Sequence, residues 1–407
     1  MLDAVGKETQ TRKRIISMIK VPVLSPDGKP LMPTKASRAR RWIREGLAVG
    51  RWSDLGVFYV QLTQPPSGEE VQPIGAGIDP GKLYSGIGVQ SPKATLFLAH
   101  LILPFQTVKD RMEQRQIMRR GRRGRRINRK VEYSKRAHRQ KRFDNRRQSK
   151  LPASIRANRQ LELRVVTEVC RLFPVSRIVY EYVEARGSKS FSPVMVGQQV
   201  MLGWLSELAP TATRLGYETA HLRTQLGLVK IKDKSAQTPE SHAVDGLALA
   251  CSELIRYESF HTPSTRGHTW TGFVRLTPSV FRVIRRPPIS RRQLHLMVPA
   301  KGGVRRKYGG TTTRHGVRKG DVVCAEMASR FYVGWVSGDT QKQVSVSDAN
   351  WKRIGQFTAS KVQLLARANG LVVRRQPIAC FRGIEPHSAG APIPPRAQGD
   401  GVSRRSS

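Results

Sequence analysis

The stretch that decides the predicted fold is residues 74–90, IGAGIDPGKLYSGIGVQ. Glycine alternates with Ile, Ala and Val on either side of Pro80-Gly81, and this pattern predicts two buried strands joined by a turn. A third strand is predicted over residues 95–103, which are mostly apolar. The first strand ends at Asp79, so a carboxylate lies where a buried strand meets a turn.

The rest of the chain alternates between strand and helix patterns. Residues 178–183, IVYEYV, are typical of a strand. Apolar side chains at helical spacing predict helices over residues 155–173, 200–208 and 242–255. This alternation indicates a multidomain α/β protein. Short strands and frequent turns beyond residue 260 indicate an additional β-rich domain.

Charge is the dominant feature of the composition. The 407 residues include 72 Lys and Arg but only 29 Asp and Glu, a formal net charge of +43. Self-repulsion on that scale predicts a polyanionic partner. The chain has no apolar run of about 18 residues and its first residues lack the apolar core of a secretory signal, so we expect a cytoplasmic protein without a membrane partner. The four cysteines are far apart and form no CxxC pair, which predicts free thiols and no zinc site.

Seventeen of the 37 residues in 111–147, RMEQRQIMRRGRRGRRINRKVEYSKRAHRQKRFDNRR, are Arg or Lys. A second cationic face is predicted on a short helix over residues 35–45, capped by Thr34. A solvated tail or a localisation signal is the alternative explanation of such a run. The candidate nucleic-acid contacts are Arg38, Arg41, Arg115, Arg119, Arg120, Arg122, Arg123, Arg125, Arg126, Arg129, Lys130, Arg136 and Arg139.

Four residues form the candidate catalytic set: Asp79, Glu181, His242 and Asp245. On a helix, the three-residue spacing of His242 and Asp245 places both on one face. Carboxylates are the ligands that Mg²⁺ prefers, and two such ions about 3.5–4 Å apart can activate water for phosphodiester cleavage. Each residue alone has an ordinary explanation: a turn aspartate, a surface glutamate (with Glu184 as its competitor) or a helix cap. Their order along the chain favours catalysis.

Five segments in this order resemble a known family. Gly77-Ile-Asp-Pro-Gly81, Ile178-Val-Tyr-Glu181 and Ser241-His-Ala-Val-Asp245 resemble the three split motifs of a RuvC-like nuclease with an RNase H fold. The basic run resembles the bridge helix of RNA-guided type II CRISPR effectors, and Lys29-Pro-Leu-Met-Pro33 resembles the motif of the PLMP domain in the IscB family. Glu181 and His242 are 61 positions apart, which leaves no room for an HNH domain, so the resemblance is to the IsrB type.

The resemblance implies an RNA-guided nickase. Its partners would be a guide ωRNA and double-stranded target DNA with an adjacent motif, bound by a monomeric protein. Asp79, Glu181 and Asp245 would bind two Mg²⁺ ions, with Mn²⁺ as a possible substitute, and His242 would assist as a further ligand or as a base. The candidate readers of the adjacent motif are Arg305, Arg306, Lys307, Arg314, Arg318 and Lys319.

The predicted division of the chain is a flexible lead (1–18), a PLMP domain (19–63), a linker (64–73), a first RuvC segment (74–108), an arginine-rich bridge helix (109–150), the second and third RuvC segments (151–258), a β-rich domain for the adjacent motif (259–382) and a disordered tail (383–407). Two other functions stay open on the sequence. One is an unguided RNase H-like resolvase or transposase, and the other is a non-enzymatic RNA-binding protein.

Overall fold

The computed structural model describes residues 18–126, 151–184, 192–261, 266–289, 294–297, 305–308 and 313–379, together with residues 130, 132 and 134. The predicted tail and nearly all of the predicted lead lie outside the described residues. Most of the basic run beyond Arg126 also lies outside them.

The N-terminal domain is a small sheet with one helix. Its elements are β1 (Lys20–Leu24), β2 (Pro30–Lys35), α1 (Ala36–Arg44), β3 (Ala48–Trp52) and β4 (Phe58–Leu62). The strand order is β2-β1-β4-β3, and Val23, Ala39 and Val60 are in its core. The predicted cap at Thr34 is wrong, because β2 continues into α1 and leaves Thr34 paired with Val21 in the sheet.

A seven-stranded sheet forms the centre of the molecule. Its strands are β5 (Gly75–Asp79), β6 (Tyr84–Ser91), β7 (Ala94–Ile102), β8 (Arg177–Tyr182), β9 (Thr211–Leu215), β12 (Ser279–Arg285) and β20 (Val372–Ala379), in the order β20-β12-β7-β6-β5-β8-β9. Among the five strands β5 to β9, β6 alone runs antiparallel to its neighbours. This order and these directions are the topology of the RNase H-like fold, and the predicted α/β class is confirmed.

Helices cover both faces of this sheet. They are α3 (Ala153–Leu172), α4 (Pro193–Ser206), α5 (Gly216–Gln225) and α6 (Val244–Cys251), whereas α2 (Phe105–Arg126) packs against α3. On one face, Leu161 and Val165 of α3 share a core with Ile78 and Ile87. On the other face, α6 shares a second core with β7 and β12. A π-helical turn, Pro239–Ala243, precedes α6, so His242 lies in this turn although the sequence predicted an α-helix from residue 242. None of the helices among the described residues has the length and apolarity to cross a bilayer.

Glycines on one face of β5 and β6 allow α6 to approach the sheet. A methyl group added at Gly77 would lie 2.1 Å from the carbonyl oxygen of Gly246, and one at Gly86 would lie 1.9 Å from that of His242. Both distances are far below van der Waals contact, so only glycine permits this approach. Asp79 pairs with Gly86 and lies on the same face of β5 as Gly77. The close approach therefore brings the backbone around His242 to Asp79.

The C-terminal part differs from the predicted division. A five-stranded antiparallel sheet, in the order β18-β17-β16-β15-β19, consists of β15 (Val322–Met327), β16 (Arg330–Asp339), β17 (Gln343–Ser347), β18 (Arg353–Thr358) and β19 (Val362–Ala366). The same part of the chain contains two separate hairpins, β10–β11 (Arg256–His261, Arg266–Thr271) and β13–β14 (Leu294–Met297, Arg305–Tyr308). However, β12 and β20 also lie in the predicted β-rich domain, and they extend the central sheet beside β7. Phe281, Val283 and Ile284 of β12 are buried, which an internal strand requires.

Candidate active site

Asp79 and Glu181 lie side by side at one edge of the central sheet. Asp79 is the last residue of β5, and Glu181 is the next to last residue of β8. The two strands are parallel and Ile78 pairs with Tyr180, so Asp79 and Glu181 occupy the next position of the same register. Alternation places both on the face that α6 covers. Glu184, the competing carboxylate, lies beyond the end of β8 and is exposed.

His242 reaches the same edge from the π-helical turn before α6. Its Nδ1–H donates a hydrogen bond to Oδ2 of Asp79 at 2.8 Å, and both side chains are about nine-tenths buried. The Nε2 atom of His242 is also buried, and it has no hydrogen-bond partner among the described residues. The contact joins residues 163 positions apart in the chain. In this arrangement, His242 fixes the orientation of the Asp79 carboxylate.

The pKa of Glu181 depends on the other carboxylates of the site. Burial raises the pKa of the Glu181 carboxyl, and the charges of Asp79 and Asp245 raise it further, to about 7. A hydrogen bond with Thr219 and the positive charge of Lys230 act in the opposite direction. Asp79 and Asp245 are therefore both close enough to Glu181 for their charges to act on its carboxyl. The structure thus brings together the four residues of the predicted catalytic set.

Asp245 is held by two cationic side chains. Arg223 of α5 lies 2.5 Å from its Oδ1 atom, and Lys230 forms an ion pair with its Oδ2 atom. Within the described part of the chain, no three carboxylate, imidazole or thiol groups are arranged to hold a metal ion. The donors are nevertheless the oxygens that hard divalent ions prefer, and the repulsion felt by Glu181 is what a bound cation relieves. The chemistry of the residues fits a divalent ion, with Asp245 engaged elsewhere.

Two rings lie beside His242, the buried His100 and the half-buried Tyr84, and the sequence analysis missed them. The ring centroids of His100 and Tyr84 lie 5.7 and 6.0 Å from that of His242. Ser241 donates its hydroxyl to the carbonyl of Thr238, and its oxygen lies 3.0 Å from Nδ1 of His100, which therefore donates to it. Burial lowers the pKa of His100 to about 4. His100 is therefore neutral at neutral pH and adds no charge beside His242.

A buried polar network from α3 holds the turn that follows Asp79, and it was also missed. Arg159 is 1% exposed, and its Nη1 atom donates to the hydroxyl of Tyr180 at 2.6 Å. Nη2 of the same guanidinium donates to the carbonyl of Gly81 at 3.0 Å, and Nη1 lies 2.9 Å from Oε2 of Glu162. Ser85, at the far end of the turn, donates to the other oxygen of Glu162. The sequence did contain a signal for this network, because Arg159 and Glu162 lie among the apolar positions of the predicted helix.

The first part of the arginine-rich segment is helical, and several of its arginines are exposed. The helix α2 begins at Phe105, four residues before the predicted bridge helix, and ends at Arg126. Arg115, Arg119 and Arg120 are exposed, as are Arg38 and Arg41 of α1. The candidates Arg122, Arg123, Arg125 and Arg126 lie in α2, Lys130 is an exposed turn residue, and Arg129, Arg136 and Arg139 lie outside the described residues.

The candidate readers of an adjacent motif fall into two groups. Arg305, Arg306 and Lys307 are in β14, paired with β13. Arg314 and Arg318 are exposed and Lys319 is half-buried, in the turn segment before β15. The guanidinium of Arg314 lies 4.0 Å from the carboxylate of Asp339. The assignment of these six residues to an adjacent motif stays a prediction.

Comparisons with known proteins give a partial family match. Residues 21–198, just under half of the chain, match the model described as RRXRR protein. A search of curated proteins found no match. Among solved structures, the chain is similar to RuvC of T. thermophilus in complex with a Holliday junction substrate, at 16% identity and a TM-score of 0.25, and to another Thermus thermophilus RuvC structure, at 14% and 0.24. Each similarity covers 44% of this chain and 90% of the RuvC chain.

Proposed function

We propose that this protein is an RNA-guided DNA endonuclease that nicks the non-target strand of double-stranded DNA. The observation that carries the proposal is the convergence of Asp79, Glu181, His242 and Asp245 at one edge of an RNase H-like sheet. A cluster of repelling carboxylates is costly for stability, and a divalent ion at a scissile phosphate gives it a use. The net charge of +43 and the exposed arginines of α1 and α2 supply the nucleic-acid contacts.

The residues of the site have distinct roles in this proposal. Asp79 and Glu181 would hold a divalent ion, preferably Mg²⁺, and Asp245 would complete the ligand set for a second ion. When bound, the ions supply activation of the attacking water and stabilisation of the leaving oxygen. His242 keeps one oxygen of Asp79 occupied through its Nδ1–H, so the carboxylate presents its other oxygen in a fixed orientation. The turn anchored by Arg159 fixes the backbone on the other side of Asp79.

The RNA-guided part of the proposal rests on the match to the RRXRR protein model and on the arginine-rich helix α2. The match to the RRXRR protein model begins in the N-terminal domain and ends after β8, and it includes α2 and the first two carboxylates. An arginine-rich helix inserted between the strands of Asp79 and Glu181 supports a role in gripping guide and target backbones. A single nuclease centre gives a nick and not a double-strand break.

The test is nicking of supercoiled DNA by the full-length protein and the RNA that co-purifies with it. We expect a nick only when a matching target, the RNA and Mg²⁺ are present. The Asp79→Asn variant should lose at least about a hundredfold in nicking rate while it retains RNA binding. Asp27→Asn is the matched control, because Asp27 is exposed in the N-terminal domain.

The two rival functions give different results in the same assay. Nicking that is independent of RNA would identify an unguided resolvase or transposase. If no nucleic acid is cut under any condition and Asp79→Asn leaves RNA binding unchanged, the protein is a non-enzymatic RNA-binding protein.

A further inference from the structure

The two cations on Asp245 come from neighbouring elements that the nuclease proposal does not use. Arg223 lies near the end of α5, and Lys230 lies in the segment between α5 and the π-helical turn. Each of them pairs with one oxygen of Asp245, whose side chain is only 2% exposed. Both oxygens of the third carboxylate are therefore engaged in the free protein, and neither is open to a metal ion.

Lys230 interacts with a second carboxylate of the cluster. Its ammonium is paired with Asp245, and its positive charge also stabilises the carboxylate of Glu181. One ammonium thus lies among the acidic groups that are expected to share a divalent ion. A lysine in this place neutralises part of the repulsion when no metal is bound.

The geometry around Lys230 suits a side chain that changes partner. The backbone on either side is fixed, because the amide of Leu228 donates to the carbonyl of Arg223 at 3.0 Å and that of Ile231 to the carbonyl of Glu240 at 3.0 Å. The Lys230 side chain is 31% exposed, whereas the Asp245 side chain is 2% exposed. A flexible stem therefore reaches the carboxylate from the solvent side, where a nucleic-acid strand would enter. The ammonium can move to a phosphate without a change in the backbone.

We propose that Lys230 is a phosphate-binding residue of the nuclease centre that holds Asp245 in the free protein and transfers to a phosphate oxygen of the bound strand. Its departure leaves Oδ2 of Asp245 available to a divalent ion. This inference rests on the proposed nuclease function. It adds that binding of the substrate strand and completion of the metal site are coupled. Arg223 keeps the other oxygen of Asp245 in position throughout.

The experiment measures metal binding and cutting separately. Mn²⁺ is titrated into the full-length protein freed of nucleic acid, and bound Mn²⁺ is followed by electron paramagnetic resonance. We expect Lys230→Gln to bind Mn²⁺ about tenfold more tightly than the wild type, because a competing ion pair is removed. In the nicking assay, the same variant should need about tenfold more target DNA for half-maximal rate, because a phosphate contact is lost.

Two further variants control this comparison. Lys232→Gln removes an exposed charge from the same segment and should change neither quantity. Lys230→Arg keeps a cation on Asp245 and should leave Mn²⁺ affinity near that of the wild type. Melting temperatures of all three variants show whether the fold is retained.

The outcomes separate this inference from the proposed function. If the wild type nicks DNA but Lys230→Gln binds Mn²⁺ no more tightly, the role of Lys230 is overturned and the nuclease proposal stands. Tighter Mn²⁺ binding with an unchanged DNA requirement overturns the transfer to phosphate. If no variant cuts DNA under any condition, the nuclease proposal fails, whatever the Mn²⁺ titration shows.

Discussion

The arginines of α2 and Arg159 of α3 lie in successive helices of the chain, but their surroundings are opposite. Arg115, Arg119 and Arg120 are exposed, whereas Arg159 is 1% exposed and contacts Glu162, Tyr180 and a backbone carbonyl. Exposed charge is available to a polyanion and contributes little to stability, whereas a buried guanidinium determines local geometry. The same residue type thus serves binding in one helix and construction of the active site in the next.

The largest expected effect on stability comes from replacing Arg159, the buried arginine. Arg159→Met leaves Glu162 buried with only the hydroxyl of Ser85 as a partner, and it also removes the donor to Gly81. We expect a loss of about 3–5 kcal/mol in the free energy of unfolding. Thermal unfolding measures the change. Arg156→Met is the matched control, because Arg156 is exposed one turn earlier in α3, and it should stay within about 0.5 kcal/mol of the wild type.

A double variant identifies the source of that loss. Arg159→Met combined with Glu162→Leu removes both buried charges, so much of the stability should return. Nicking should stay impaired, because the turn after Asp79 still lacks its anchor from α3. If the double variant is as unstable as the single one, packing of the Arg159 stem and not the unpaired charge explains the loss.

Local patterns could be predicted from the sequence, whereas contacts between residues far apart in the chain could not. The alternation of glycine with apolar residues around Asp79 is local, so it predicted β5 and β6. The ordered motifs predicted that Glu181 and His242 belong with them. The roles of Arg159 and His100 depend on contacts across the fold: the hydrogen bond between His100 and Ser241 joins residues 141 positions apart.

The pairing of whole strands in the central sheet was likewise beyond prediction from local sequence. The sequence of β12 indicates a strand, but nothing local says that it pairs with β7, some 180 positions earlier in the chain. The pairing follows from burial of apolar residues on both faces of β12, which only an internal position in the sheet provides. A change in composition after residue 260 therefore suggested a domain boundary where the sheet in fact continues.

A smaller effect is expected from Glu181, the half-buried carboxylate beside Asp79. Its folded pKa of about 7 exceeds the ordinary value of a glutamate, so the folded state binds the proton more tightly than the unfolded state. The contribution to stability is full below about pH 4.3 and is lost as the pH rises through 7. In metal-free buffer, the wild type should lose about 3–4 kcal/mol relative to Glu181→Gln between pH 4 and 8.

Melting temperatures of the two proteins across this pH range give the difference. Glu184→Gln is the matched control, since Glu184 is exposed just beyond the end of β8 and should follow the wild type at every pH. Added Mg²⁺ should restore the stability of the wild type at pH 8 and have no such effect on Glu181→Gln. Parallel pH curves for the wild type and Glu181→Gln would show that the carboxylates do not share one site.

The smallest effect on stability, and a clear effect on binding, is expected from the exposed arginines. Arg119→Gln with Arg120→Gln removes two charges from α2, and the free energy of unfolding should change by less than about 0.5 kcal/mol. If both contact phosphates, the dependence of log affinity on log salt should become shallower by about 1.4 for single strands and about 1.8 for duplex. The control is Lys93→Gln with Arg177→Gln, because both residues are exposed at the opposite edge of the central sheet. An equal change of slope in the control would mean that the net charge, and not the position of α2, governs nucleic-acid binding.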